Sequence, residues 1–500
     1  MITIKVTNTT CKITGNVDAK VLAEISKECS YVHSGYMYMA TQSKYNRSWD
    51  GIVRLYKNST FPIGLLSRVK GILRKNKVSF GVEDMRPPVS YGEPLLIDKD
   101  CFFKPRDYQC KALDSCIKNS SGVVKMATGG GKTGVIAMLS GHYNVKTIIY
   151  VIGVELLYQM KDTLNTLYPD LEVGIIGDGK CDVKNINIAT IWSAAAAFNK
   201  KIKVYDSDVT YDKKANSSIN KEAVRNAVRS ADMFILDECQ YAGANTVQFL
   251  HKESISARHR FLFSASPWRD SGDDILIEAV GGKKIYDLKA SSLIKDGWLV
   301  MPEIHFLSVP PMRGVGSNYQ DVYKRYIVEN ETRNEMICNS AQKLMSAGKN
   351  VLILVTRINH GNILVKALRE KGLDCEFLDG NKNSNERLET IGRMKKGELN
   401  LLVASKIFDQ GVDIPELNAL ILAGSGKSSG RALQRIGRVI RKSKGKKRAI
   451  VVEFDDNAKY LKNHSEARFN VYKSEPMFKI KRTGKDRSSE YKKRPPVKWA

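Results

Sequence analysis

Two trains of short apolar runs restrict what this chain can fold into more than any other feature. The first reads GVVKMA, TIIYVIG, NINIATI, MFILDE and RFLFSAS; after SSLIKDGWLVMPEIHF a second begins, with VLILVTR, CEFLDG, LNLLVAS, ALILAG and AIVVEF. Helix-like segments separate the runs. Strands that alternate with helices predict a parallel sheet covered by helices on both faces. The restart predicts two such α/β domains in tandem, with the crevice between them as a ligand site. The length of 500 residues agrees, since single cores stop growing near roughly 250–300 residues.

Ahead of the first train, residues 1–90 read as a small α+β unit. MITIKVT and GIVRLY are expected strands, AKVLAEISKECS and FPIGLLSRVKGILRKNK expected helices, and YNRSWDG a turn. The second helix carries Arg68, Lys70, Arg74, Lys75 and Lys77, either a solvated face or a phosphate contact. DMRPPVSYGEP is a linker. The domains expected are therefore 1–90, 91–297, 298–455 and a basic extension, 456–500. Residues 200–229, rich in Lys, Asn and Ser, read as a surface insertion. The tail from Ser474 is expected to be mobile when alone.

The formal charge is +27, from 80 Lys and Arg against 53 Asp and Glu. Such an excess repels itself in a compact state, so a polyanionic partner is expected. Nine cysteines without a CxxC pair, and seven histidines that do not join them at ligand spacing, argue against a disulfide framework and a structural metal site. No apolar run reaches membrane-spanning length, and the N-terminus lacks the layout of a signal peptide. A cytoplasmic protein with no membrane partner is expected.

VVKMATGGGKTGVIAML has the order strand, glycine loop, Lys-Thr, helix. Glycines let backbone N–H groups approach a phosphate closely, and the following helix adds its positive end. Thr128, Gly129, Gly130 and Gly131 would form the cradle, Lys132 would reach the β- and γ-phosphates, and the Thr133 hydroxyl would complete a Mg2+ shell. Met126 stands where the strict pattern has glycine. DMFILDECQ ends a strand in two carboxylates. Asp237 is placed to hold Mg2+ and Glu238 to orient or deprotonate the attacking water. Arg435, Arg438 and Arg441 recur at three-residue spacing, expected along one side of a helix. Like charges so stacked are destabilising unless they face anions such as a γ-phosphate.

In this order the motifs resemble those of the superfamily-two helicases, in the XPB-like and phage UvsW-like branch. The resemblance spans about residues 100–455. RDYQ (Arg106 to Gln109) is similar to the adenine-side Gln motif, MATGGGKT to motif I and DECQ to motif II. SASPWR (Ser264 to Arg269) is similar to motif III with its extension, VASKIFDQGVDIP to motif V, and QRIGRVIR to motif VI. It implies two RecA-like motor domains that use ATP and Mg2+, with Gln109 reading adenine beside Arg106. Gly411 and Asp413 would lie near the ribose, and Gln434, Arg438 and Arg441 would complete the site from the second domain. Gln240, Ser264, Ser266 and Arg269 would couple hydrolysis to motion; Gln240 stands for the usual His and Ser266 for Thr. YNRSWDGIVRLY followed by FPIGLLSRVKGIL is similar to the small domain that precedes the motor in UvsW-like helicases.

The resemblance implies an enzyme that remodels branched DNA, and a monomer is expected. An RNA helicase and a nucleic-acid-binding module with an idle ATP site are the alternatives. Strand-end residues Thr190, Thr356, Arg357, Ser405 and Lys406 are expected to grip nucleic-acid phosphates without reading sequence. Trp49, Trp268 and Trp298 are candidates for stacking on bases, Trp268 foremost.

Overall fold

The computed structural model describes residues 2–33, 36, 49–199, 220–267, 272–312, 318–380, 382, 384–405, 414–424, 426 and 429–483. It divides into two compact units, 1–290 and 291–500.

The first unit begins with the small α+β domain. Its sheet has the order β5 (Thr60–Pro62), β2 (Thr10–Thr14), β1 (Ile2–Val6), β6 (Phe80–Asp84); β3 (Ser30–Val32) and β4 (Ile52–Arg54) form a separate antiparallel pair. Alternation puts Ile2, Ile4 and Val6 of β1 on the core side. Two helices cover that face. In α1 (Ala19–Glu28), Asp18 caps the N-terminus through the Lys20 N–H and Val21 and Ile25 are buried; α2 (Leu66–Lys75) buries Val69, Ile72 and Leu73. The sequence predicts one helix from Phe61 onward. Instead Phe61 fills the core from β5, opposite Cys11, and the α-helix starts at Leu66 after one 3-10 turn. The basic cluster on α2 is partly neutralised: Arg68 pairs with Glu278 at 2.5 Å and Lys75 with Glu24 at 2.7 Å.

Glu278 belongs to the motor domain that follows, so this small domain is docked, not tethered. Buried Arg260 donates to the Asn8 carbonyl at 3.1 Å, and the Asn8 amide donates to the Ser256 carbonyl at 3.1 Å. Gly64 sits where a Cβ would lie 1.9 Å from the Glu278 carbonyl oxygen. Gly64→Ala should therefore push the two domains apart, costing roughly 1–3 kcal/mol as an overpacked contact. A lowered urea midpoint, followed by fluorescence, measures it.

The first motor sheet has the order β10 (Lys180–Asp182), β9 (Val173–Gly177), β11 (Ile186–Thr190), β8 (Thr147–Val151), β12 (Met233–Asp237), β13 (His259–Ser264), β7 (Ser121–Met126), β14 (Lys284–Leu288). All pairings are parallel except β10 with β9. Strands β8, β9, β11, β12 and β13 are buried along their whole length, as helices on both faces require. Because the strands are parallel, Met126, Val151, Gly177, Thr190, Asp237 and Ser264 all end at one edge of the sheet, with β13 between β12 and β7. The expected insertion is only partly loop. Residues 200–219 lie outside the described residues, while Lys221–Ser230 is a helix capped by Asn220, with Val224 and Val228 buried.

In the second unit seven parallel strands run β17 (Glu376–Leu378), β18 (Leu401–Ala404), β16 (Val351–Leu354), β19 (Ala419–Leu422), β20 (Arg448–Asp456), β15 (Met301–Val309), β21 (Lys479–Arg482). The sequence reading of 456–500 as an extension, mobile from Ser474, is corrected for its first part. The helix Leu461–Lys473 packs on β20, and β21 joins the sheet edge through β15. Residues 484–500 lie outside the described residues.

Candidate active site

The phosphate loop follows from how β7 ends. Met126 is the last residue of a buried, extended strand, so nothing at that position calls for glycine. The turn begins one residue later: the Gly130 N–H donates to the Ala127 carbonyl at 2.9 Å, and Gly129 and Gly131 take φ of +83° and +74°. Such angles favour glycine. Lys132 is then the first residue of the helix Lys132–Tyr143, with Thr133 beside it, both half-buried at its positive end. Gln109 braces the loop from behind. Its Oε1 accepts the Arg106 N–H at 2.9 Å, and its Nε2 donates to the carbonyls of Gly130 and Gly131 at 3.4 and 3.3 Å. Both ends of the carboxamide expected at adenine are thus engaged with the protein here. The Phe103 ring packs against Gly134 in the first turn of the same helix, a contact that sequence reasoning missed. The aromatic pair just before RDYQ was its signal.

Asp237 closes β12, two strands from β7. Burial and the adjacent Glu238 carboxylate push its pKa above the usual carboxylate range, while the Lys132 ammonium pulls it down. Glu238 has φ of +55°, a left-handed conformation that costs a non-glycine residue roughly 1–2 kcal/mol. Its N–H donates to Asp237 Oδ1 at 2.9 Å. From Glu238 a hydrogen-bonded chain crosses to β13. Gln240 Nε2 donates to Glu238 Oε2 at 3.0 Å, the buried Ser264 hydroxyl donates to Gln240 Oε1 at 2.7 Å, and the Ser266 N–H donates to Ser264 Oγ at 3.0 Å. All three expected coupling residues therefore lie on one path. Gln240 spans it because an amide has a donor and an acceptor on one short side chain.

The residues present suit Mg2+. Among the described residues no three His, Cys, Asp or Glu gather as a protein-only metal site. Mg2+ asks for less, one or two carboxylates plus phosphate and water oxygens. A buried Asp whose charge is opposed by its surroundings, near a threonine hydroxyl at a phosphate loop, is that donor set.

In the second unit Gln434, Arg435 and Arg438 are half-buried on the helix Ser429–Val439. Arg441 is corrected: it lies beyond the helix end, bridged to Leu299, and Val300 N–H takes the Ile440 carbonyl at 2.8 Å. That pairing stops the helix before a third arginine can share its face. Thr356 and Arg357 follow β16 as expected. Arg357 caps the helix Ile358–Glu370, is exposed, and lies over the Tyr323 ring. Ser405 is buried after β18. Thr190 is corrected as an accessible grip. It is fully buried, and its hydroxyl accepts the Ser193 N–H at 3.2 Å as the cap of the helix Ile191–Ala197. Trp298 is exposed at 42% and Trp49 is half-buried against His33 and Tyr36. Trp268, Arg269, Lys406, Gly411 and Asp413 lie outside the described residues.

Two family models match, and together they cover more than half of the chain: "Type III restriction enzyme, res subunit" over residues 102–269 and "Helicase conserved C-terminal domain" over 333–443. The chain is 26% identical to the DNA 3'-5' translocase XPB2 of Sulfurisphaera tokodaii, over 72% of this chain and 82% of that protein. It is 24% identical to the ATP-dependent DNA helicase uvsW of Enterobacteria phage T4, over 82% of each. For some other curated relatives it spans only about half of their length (52–54%). Among solved structures, S. cerevisiae Dbp5 bound to RNA and ADP BeF3 superposes with a TM-score of 0.51 at 15% identity, over 76% of this chain and 90% of that one, which establishes the fold as two tandem RecA-like domains. The chain belongs to the superfamily-two helicases, in their XPB-like and UvsW-like branch, and is an ATPase of the helicase class.

Proposed function

We propose that this protein is an ATP-driven DNA helicase or translocase that remodels branched DNA, such as forks, displacement loops and four-way junctions. The observation that carries the motor reading is the chain Glu238–Gln240–Ser264–Ser266. It ties the carboxylate that would activate water to the loop after the next strand, which a simple ATPase has no need to do. DNA is favoured over RNA by relatives whose names specify DNA, and a net charge of +27 suits either polyanion. The branched substrate rests on the N-terminal segment that resembles UvsW-like helicases, and on the alignment with uvsW over 82% of both chains.

In this reading Lys132 holds the β- and γ-phosphates while Gln109 keeps the glycine loop in shape. Thr133 and Asp237 would hold Mg2+, which when bound neutralises phosphate charge. Glu238 orients a water and takes its proton as the water oxygen attacks the γ-phosphorus; the bond to the β-phosphate oxygen breaks and ADP leaves. Gln434, Arg438 and Arg441 act on the same nucleotide from the second domain, Arg438 and Arg441 stabilising the charge of the transferring group, Gly411 and Asp413 meeting the ribose. Loss of the shared anion lets the domains part, and Thr356, Arg357, Ser405 and Lys406 exchange their hold on the backbone of one strand.

ATP turnover measured with a fork, a four-way junction, a blunt duplex and an RNA hybrid tests this. Stimulation by the fork and the junction should exceed that by the duplex. Equal stimulation by blunt duplex removes the branched-DNA reading, and stimulation by RNA alone replaces DNA.

A further inference from the structure

Two arginines lie deep in the second unit, each facing a carboxylate from β20. Arg333, fully buried on the helix Glu331–Ser346, bonds Asp456 through Nε at 2.8 Å and lies over the Phe454 ring. Arg468, on the helix Leu461–Lys473, bonds Glu453 through Nε at 3.1 and 3.2 Å, and Glu453 also accepts the buried Tyr472 hydroxyl at 2.6 Å. Burying two ion pairs in one small domain is expensive. Desolvation costs several kcal/mol per ion, and apolar side chains of equal volume would serve packing as well. The arrangement therefore invites a reason beyond stability.

The reason lies in the other arm of each guanidinium. Arg333 Nη1 donates to the Ala423 carbonyl at 2.7 Å, and Arg468 Nη1 donates to the Gly426 carbonyl at 2.9 Å. Ala423 and Gly426 bracket the segment that leaves β19 and enters the helix Ser429–Val439, the helix of Gln434 and Arg438. Gly424 between them is fixed too. Its N–H donates to the Leu354 carbonyl at 2.8 Å, and a Cβ there would lie 2.3 Å from Thr356 Oγ1. A planar guanidinium can hold a carboxylate with one edge and a carbonyl with the other; a lysine ammonium has no such fork.

We propose that Arg333 and Arg468 are positioning residues for ATP hydrolysis: each braces a β20 carboxylate and a carbonyl of the segment entering the motif VI helix, and so sets where Arg438 meets the transferring phosphoryl group. This rests on the helicase reading above for the role of Arg438. Tyr472 belongs to the same device, since it fixes the Glu453 end of the clamp. Gly424 extends it to Thr356, so the same segment links an expected nucleic-acid grip to the arginine helix.

The test uses the full-length chain and compares Arg468→Lys, Tyr472→Phe and Arg438→Ala with the corresponding doubles. Arg468→Lys should lower kcat for ATP roughly ten- to hundredfold, as a misplaced catalytic group does, with KM for ATP unchanged. Tyr472→Phe keeps the volume and should lower kcat about threefold, a typical coupling effect. Combining either with Arg438→Ala should add nothing to the loss from Arg438→Ala alone, because both act through that guanidinium. Losses that multiply in the doubles, or an unchanged kcat in folded Arg468→Lys and Tyr472→Phe, overturn the proposal. Unchanged turnover in Arg438→Ala alone instead overturns the reading on which it rests, so the two failures are separable.

Discussion

Lys132→Ala should lower ATP turnover by about 10²- to 10³-fold, the loss expected when one preorganised donor to a transition-state oxygen is removed. The substitution leaves the loop itself in place. The turn from Ala127 to Gly130, the left-handed Gly129 and Gly131, and the Gln109 brace all use backbone or neighbouring groups, not the lysine side chain. Alanine is also the best helix former and suits the first helical position. The thermal midpoint should therefore hold while turnover falls. Removal of the ammonium also takes away the one group that pulls Asp237 toward its charged form, so nucleotide affinity measured with a fluorescent ATP analogue should weaken too. Turnover close to that of the parent chain would leave the phosphate-cradle assignment without support and restore the reading of an idle site.

The motor sheets were legible in the sequence because a strand buried on both faces must be apolar throughout. Every run in both trains is a strand at or near its expected place. What escaped was structure whose signal is weak until a neighbour arrives. KIYDL and KIKR become edge strands β14 and β21 only by pairing with β7 and β15. The helix Lys221–Ser230 hides a two-residue stripe, Val224 and Val228, in a polar segment. A spacing of three fits a helix and a chain leaving one equally well; the bridge to Leu299 that ends the helix before Arg441 is a tertiary contact. Thr190 shows the same limit, since a hydroxyl at a strand end can meet a phosphate or cap the next helix, and burial decides for the cap. The phosphate loop was readable because its parts are contiguous. The placement of β13 between β12 and β7, which lets Ser264 touch Gln240, is topology that no local pattern encodes.

Glu238→Gln should separate binding from chemistry. Amide and carboxylate have nearly the same shape, and the amide oxygen can still accept from Gln240 Nε2 where Oε2 does now. The left-handed backbone at position 238 is set by the turn after β12 and asks the same of either residue. Only the ability to take a proton is lost. General-base catalysis contributes about 10²- to 10⁴-fold, so steady-state hydrolysis should fall by that factor while ATP affinity stays near the parent value. Affinity should even gain slightly, because one of two adjacent carboxylates that oppose each other's charge, and that of a triphosphate, has become neutral. Since the relay through Gln240 to Ser264 and Ser266 survives, the variant should still respond to ATP at the far end of that chain. Its affinity for a DNA fork, measured by fluorescence anisotropy, should change on adding ATP and stay changed, where the parent chain returns to its starting state as ATP is consumed. Hydrolysis at the parent rate would remove Glu238 from the chemistry, and unaltered fork affinity despite bound ATP would show that the relay carries no signal.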